Sequence, residues 1–222
     1  MIFNDLTVPG EAVILADPYN QPTEDDVLLR LTYEGVLLGS SRNDPRARHK
    51  HELRRCFHRQ LKRFWDIHPD LKKAPLQYPD AGTYTMLPHY LETKFARNDY
   101  NFIPLVAEEW SLACSINVLM LRPDMPGTVI KSGDLDNRLK TIFDALRMPS
   151  SKDELGGYDL PSDDEKPFYC LLEDDRLITN VTVEADVLLE SVSDPPNQND
   201  TRLLIKVEIK PTRGTLFGML FT

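Results

Sequence analysis

The chain has few of the residues that small stapled or repetitive proteins depend on. Three cysteines (Cys56, Cys114, Cys170) lie far apart with no Cys-x-x-Cys pair, which argues against a thiolate metal site or a disulfide framework and fits a reducing cytoplasm. Ten glycines beside 17 prolines, with no repeat, exclude collagen-like and low-complexity chains. No apolar run approaches the roughly 18 residues a membrane helix needs, the longest being interrupted at Arg30, Pro104 or Asn117. Residues Met1 to Pro9 have neither a basic start nor an apolar core, so no secretory or targeting segment is expected. What is present is ordinary: 222 residues, 41% hydrophobic and 27% charged, enough for one folded domain with an appendage.

A formal net charge of −9 speaks against a polyanionic partner, but the charge is unevenly spread. From Arg42 to Trp65 nine basic side chains face only Asp44 and Glu52, a local +7 that leaves −16 on the rest. Four of the five histidines, His49, His51, His58 and His68, lie in or beside this stretch. Leu53, Cys56, Phe57, Leu61, Phe64 and Trp65 recur at helical spacing, with Arg54, Arg55, His58, Arg59, Lys62 and Arg63 expected on the opposite face. A cationic helix face of this kind attracts phosphates, and Arg46, Arg48, Lys50, Arg54, Arg55, Arg59, Lys62 and Arg63 are its candidate nucleic-acid contacts. The plainer reading is a solvated face, or one paired with some of the 35 acidic side chains. A transition-metal site at His49, His51 and His58 is disfavoured because the surrounding cations would repel the ion. Trp65 and Trp110 read as packing residues.

Elsewhere the pattern predicts an irregular arm over residues 1–26, a strand over Val27–Leu38 and the basic helix from about Pro45. Between His68 and Asp99, Pro69, Pro75, Pro79, Pro88 and Gly82 suggest little regular structure. Strands are expected at Asn101–Val106, Ser111–Leu121 and Phe168–Leu172, and alternation marks two more, Leu177–Leu189 and Leu203–Ile209, joined as a hairpin. Leu139, Ile142, Phe143 and Leu146 mark a second helix, stopping near Met148-Pro149. Residues 212–222 form an apolar tail. The class expected is α+β, a small mixed or antiparallel sheet with two main helices, its body spanning residues 27–211.

The sharpest local signal is Gly133-Asp134-Leu135-Asp136-Asn137-Arg138-Leu139-Lys140, where a loop enters that helix. Two carboxylates two residues apart in an extended segment point the same way, and a shared hard cation relieves their repulsion. Lys140 follows Asp136 by one turn and can hold a phosphate beside such an ion. A second acidic group, Glu173-Asp174-Asp175, precedes the alternating strand. Asp134 or Asp136 could equally be a helix N-cap, Glu173-Asp174-Asp175 a solvated turn, and Asp144 an intrahelical partner of Lys140.

Together, Asp134-x-Asp136-Asn137-x-x-Lys140-x-x-x-Asp144-Ala145-Leu146 followed by Asp174-Asp175 resembles the signature of the RusA family of Holliday-junction resolvases. The resemblance implies a RusA-type fold, a homodimer, and Mg²⁺-dependent endonucleolytic cleavage of branched DNA in recombination, repair or a mobile-element setting, with Mn²⁺ as a substitute metal. It implies Asp134, Asp136 and Asp175 as metal ligands, Asp174 as a supporting ligand, and Lys140 near the scissile phosphate. Two rival readings remain from the residues: an Asp-x-Asp nucleotidyl- or glycosyltransferase, and a noncatalytic nucleic-acid-binding module. No phosphate-binding loop, nucleophile elbow or His-Glu-x-x-His helix competes with these.

Overall fold

The computed structural model describes residues 13–14, 28–40, 46–68, 71–72, 75–77, 84–124 and 134–212. Among the described residues the elements run in the order β1 (Val13–Ile14), β2 (Leu28–Val36), α1 (Ala47–Ile67), β3 (Pro75–Gln77), β4 (Tyr84–Met86), α2 (Leu87–Lys94), β5 (Ala96–Arg97), β6 (Tyr100–Val106), β7 (Leu112–Arg122), α3 (Asp134–Leu146), β8 (Phe168–Leu172), β9 (Ile178–Val187) and β10 (Asp200–Pro211). The class is α+β. Of the expected arm only β1 falls among the described residues, and the apolar tail beyond Thr212 lies outside them.

The principal sheet has the order β2-β10-β7-β9. β10 is antiparallel to both β2 and β7, while β7 and β9 run parallel. β7 is central and earns its place by composition: Leu112, Cys114, Ile116, Val118 and Met120 are all buried, one inward residue at every second position. They meet Leu203, Ile205, Val207 and Ile209 of β10, also buried. A second sheet, β5-β6-β8, places β8 parallel to β6 with Phe102 opposite Phe168. A small sheet, β1-β3-β4, is antiparallel throughout.

Two expectations are corrected here. The alternating segments β9 and β10 do not form a hairpin, because β7 lies between them. Residues 188–199 are long enough to step over one strand, and the buried Asp200 carboxylate organises that passage by accepting from the main-chain N–H groups of Ser193 and Asn197, both at 3.2 Å, and from the Ser193 hydroxyl. The stretch from His68 to Asp99 is also more regular than its prolines suggest. Pro88 stands in the first turn of α2, where a missing N–H costs nothing, so it starts a helix rather than breaking one.

α1 packs against β2, β8, α3 and the 3₁₀ turn Lys152–Leu155. Leu53, Phe57, Leu61 and Trp65 lie on its buried face, each contributing about 1.5–3 kcal/mol of apolar burial. The buried stripe is wider than the apolar spacing implies, since His51, Arg54 and His58 lie within it and Cys56 and Phe64 are only half-buried. The histidines are accommodated by specific bonds and ring contacts. His58 Nδ1 accepts from the N–H of Tyr169 at 2.8 Å while its Nε2 meets the Asp164 carbonyl at 3.1 Å. His51 stacks at a tilt on Tyr158, 5.1 Å between ring centres. All three cysteines are free thiols, and burial pushes Cys114 and Cys170 up to about 12.

Candidate functional site

α3 is held by its inward face. Arg138, Thr141, Ile142, Ala145 and Leu146 are buried. The Thr141 hydroxyl donates to the Leu38 carbonyl (2.9 Å), the Ser40 N–H donates to the Asn137 carbonyl (3.0 Å), and Arg138 Nη2 donates to Asn199 Oδ1 (2.8 Å). With that face fixed, Asp136, Leu139, Lys140, Phe143 and Asp144 share the neighbouring face, at the three- and four-residue spacing of a helix.

Asp175 arrives from elsewhere in the chain. β8 ends with the Glu173 N–H donating to the Val106 carbonyl (2.9 Å) and Glu173 Oε2 accepting from the Glu108 N–H (3.0 Å). Asp174 then caps a 3₁₀ turn over Asp175–Leu177, accepting from the Arg176 N–H at 3.0 Å. This turn lies against α3, so that Asp136, Leu139, Lys140, Phe143, Asp144 and Asp175 line one open groove of about 300 Å³.

The charges in this groove differ in how they are used. Asp144 is saturated: Lys50 Nζ lies 2.6 Å from its Oδ2, and Arg147 Nη2 lies 3.0 Å from its Oδ1. Arg147 also bonds Glu154 at 3.0 Å. Burial opposes this pair, lowering the arginine pKa and raising the carboxyl's, but their hydrogen bond and opposite charges more than reverse it, so Arg147 is raised and Glu154 lowered. By contrast Asp136, Lys140 and Asp175 make no ion pair and no side-chain hydrogen bond among the described residues. Two exposed carboxylates and an ammonium group are left facing a common space.

Measured against the sequence, the structure brings Asp136, Lys140 and Asp175 together and keeps Asp174 out of the groove lining, engaged in its local cap. The side chain of Asp134 lies outside the described residues. The segment expected to be extended at Asp134–Asp136 is instead the first turn of α3, where residues two apart do not share a face as they would on a strand. Asp144 pairs with Lys50 and Arg147, not with Lys140. Among the described residues no three His, Cys, Asp or Glu side chains form a ready-made ligand set. The carboxylates of Asp136 and Asp175 are hard oxygen donors of the kind Mg²⁺ takes with several waters retained.

The basic helix is also sorted. Arg54, expected on the solvent face, is 1% exposed; its Nε donates to the Arg147 carbonyl (3.0 Å) and its Nη2 to the Asp144 carbonyl (2.6 Å), which satisfies the C-terminal end of α3. Lys50, 8% exposed, is committed to Asp144. Neither is placed to meet a nucleic acid. Residues 150–167, whose sequence carries six acidic side chains, lie along part of the same helix. Arg55 pairs with Glu165, Lys62 donates to the Asp164 carbonyl (2.8 Å), and the Tyr158 ring sits under Arg48 and Arg55. Arg48 also bonds Glu52 at 3.1 Å. Arg46, Arg59 and Arg63 remain exposed. Sequence reading missed Leu139, Phe143 and the acidic cover over α1; the first two were visible as residues three and seven positions beyond Asp136.

No protein-family model matches the chain, and no curated protein or solved structure is significantly similar to it.

Proposed function

We propose that the groove is the active site of a metal-dependent endonuclease of RusA type, hydrolysing phosphodiester bonds in branched DNA. The observation that supports this reading is that Asp136, Lys140 and Asp175, drawn from two segments 35 residues apart, line one open groove without being neutralised by other described groups. Structural charges tend to be paired, as Asp144, Glu154 and Glu165 are here; unspent charges gathered in a concavity point to a ligand.

On this reading Asp136 and Asp175, with Asp134 by the family resemblance, hold Mg²⁺ or Mn²⁺. Such an ion supplies Lewis-acid polarisation of the phosphate and an activated water when bound. Lys140 offers its ammonium to a non-bridging phosphate oxygen and offsets charge that develops as the leaving group departs. Leu139 and Phe143 give the groove an apolar wall that limits water around the reacting phosphate. A four-way junction needs two opposed nicks, which a twofold homodimer supplies.

The test offers purified protein four-way, flap, single-stranded and duplex DNA together with RNA, in Mg²⁺ or Mn²⁺. Asp136→Asn and Asp175→Asn should each abolish metal-dependent nicking of branched DNA while preserving binding. Undiminished cleavage by both variants, or no cleavage of any substrate by the parent protein, overturns the proposal.

A further inference from the structure

Lys140 and Asp144 sit four residues apart on the same helix face and line the same groove, an arrangement that ordinarily produces an intrahelical ion pair. No such pair forms. The reason lies in helix α1, which delivers Lys50 to Asp144 Oδ2 at 2.6 Å while Arg147 occupies Oδ1. The side chains of Lys50, Asp144 and Arg147 are 11, 13 and 15% exposed, so these contacts are sheltered from water and outcompete a pair with the exposed Lys140. The direction of the i,i+4 pair, with the acid C-terminal to the lysine, is also the weaker one on a helix. Arg147 is shared with Glu154, whereas Lys50 has no other ion-pair partner among the described residues.

We infer that Lys50 is a positioning residue: by saturating Asp144 it keeps the ammonium of Lys140 unpaired and available to an anion in the groove. The inference rests on the reading of Lys140 as the phosphate-facing cation, but its test reads Lys140 directly. Buried as it is, Lys50 contributes to the site only through this partner.

Full-length protein in EDTA is acetylated with limiting N-hydroxysuccinimide acetate, and the rate at Lys140 is followed by mass spectrometry against the exposed Lys166 as internal reference. Lys50→Met frees one oxygen of Asp144, which then captures Lys140, and labelling at Lys140 falls about two- to five-fold, the scale of a partly exposed ion pair. Lys50→Arg keeps the pair and labels like the parent. The double variant Lys50→Met/Asp144→Asn has no Asp144 carboxylate to capture Lys140 and leaves Asp136 and Asp175 as they are in the parent, so its rate returns to the parent's. Should Lys50→Met fail to fold, Arg147→Gln frees the other oxygen and is expected to slow labelling in the same way. Parent-like labelling in the single variant, or a double variant as slow as the single, overturns the inference. Labelling that behaves as expected in a protein that cleaves no nucleic acid sinks the nuclease reading alone. Cleavage by the parent protein with unchanged labelling in Lys50→Met sinks the positioning role alone.

Discussion

Arg54 Nη2 donates to the main-chain oxygen of Asp144 at 2.6 Å, joining the centre of the basic helix to the end of the helix that lines the groove. A residue that composition assigns to the solvent is thus a structural tie between two helices. Replacing it with methionine keeps an unbranched apolar stem but leaves the carbonyls of Asp144 and Arg147 without their donor in a dry setting. Each buried orphan costs about 1–3 kcal/mol, so Arg54→Met should destabilise the fold by about 2–6 kcal/mol in urea titration. A loss under 1 kcal/mol would show that the tie is dispensable.

Acid should weaken the fold before its carboxylates titrate. Burial, reinforced by the Arg54 charge, lowers His51 to about 3, and burial likewise lowers His49 and His58. The unfolded chain protonates these rings near 6.5 while the folded chain resists, so stability is full above that value and falls as pH drops toward the folded pKa. At pH 5 His51 alone accounts for roughly 2 kcal/mol. Unfolding free energies measured between pH 7.5 and 5 should decline, with a shallower slope in His51→Gln. A flat profile across that window would refute the assignment.

The acidic cover over α1 divides its arginines into two groups. Arg59 and Arg63 are exposed, whereas Arg55 is already paired with Glu165. If DNA is bound here, Arg59→Ala/Arg63→Ala should weaken it regardless of sequence and reduce the log–log salt slope by about two, one per lost phosphate contact. Arg55→Ala should leave that slope unchanged. Equal effects from both variants would mean that the Glu165 pair opens on binding.

Two adjacent glycines make a local test of how residues 150–167 dock. Gly156 has φ +60°, and a Cβ there would lie 2.2 Å from the Cα of Arg48, a backbone atom that cannot yield. Gly157 has φ +91° with nothing within 4 Å of the same position. Gly157→Ala should therefore cost only the conformational strain, about 1–2 kcal/mol, and Gly156→Ala distinctly more, with separation of this segment from α1 seen as faster amide exchange. Equal losses would indicate that the contact with Arg48 carries no weight.

Local signals determined a good part of this protein. The alternation in β7 and β10, the apolar spacing of α3 and the start of α1 were legible because strand and helix periods follow from backbone geometry alone. Asp136 and Lys140 stood out as candidates by their one-turn spacing, and Asp175, 35 residues further on, only through the family resemblance. Tertiary structure decided the rest, because pairing between distant segments leaves no periodic trace. It put β7 between β9 and β10, drew Arg54 and Lys50 out of the solvent, and laid an acidic segment over half of the cationic face. It also decided which charges stay unspent: Asp144 and Lys140 look like partners along the helix, yet the Asp144 carboxylate is taken by Lys50 from another helix together with Arg147, contacts that no local spacing announces.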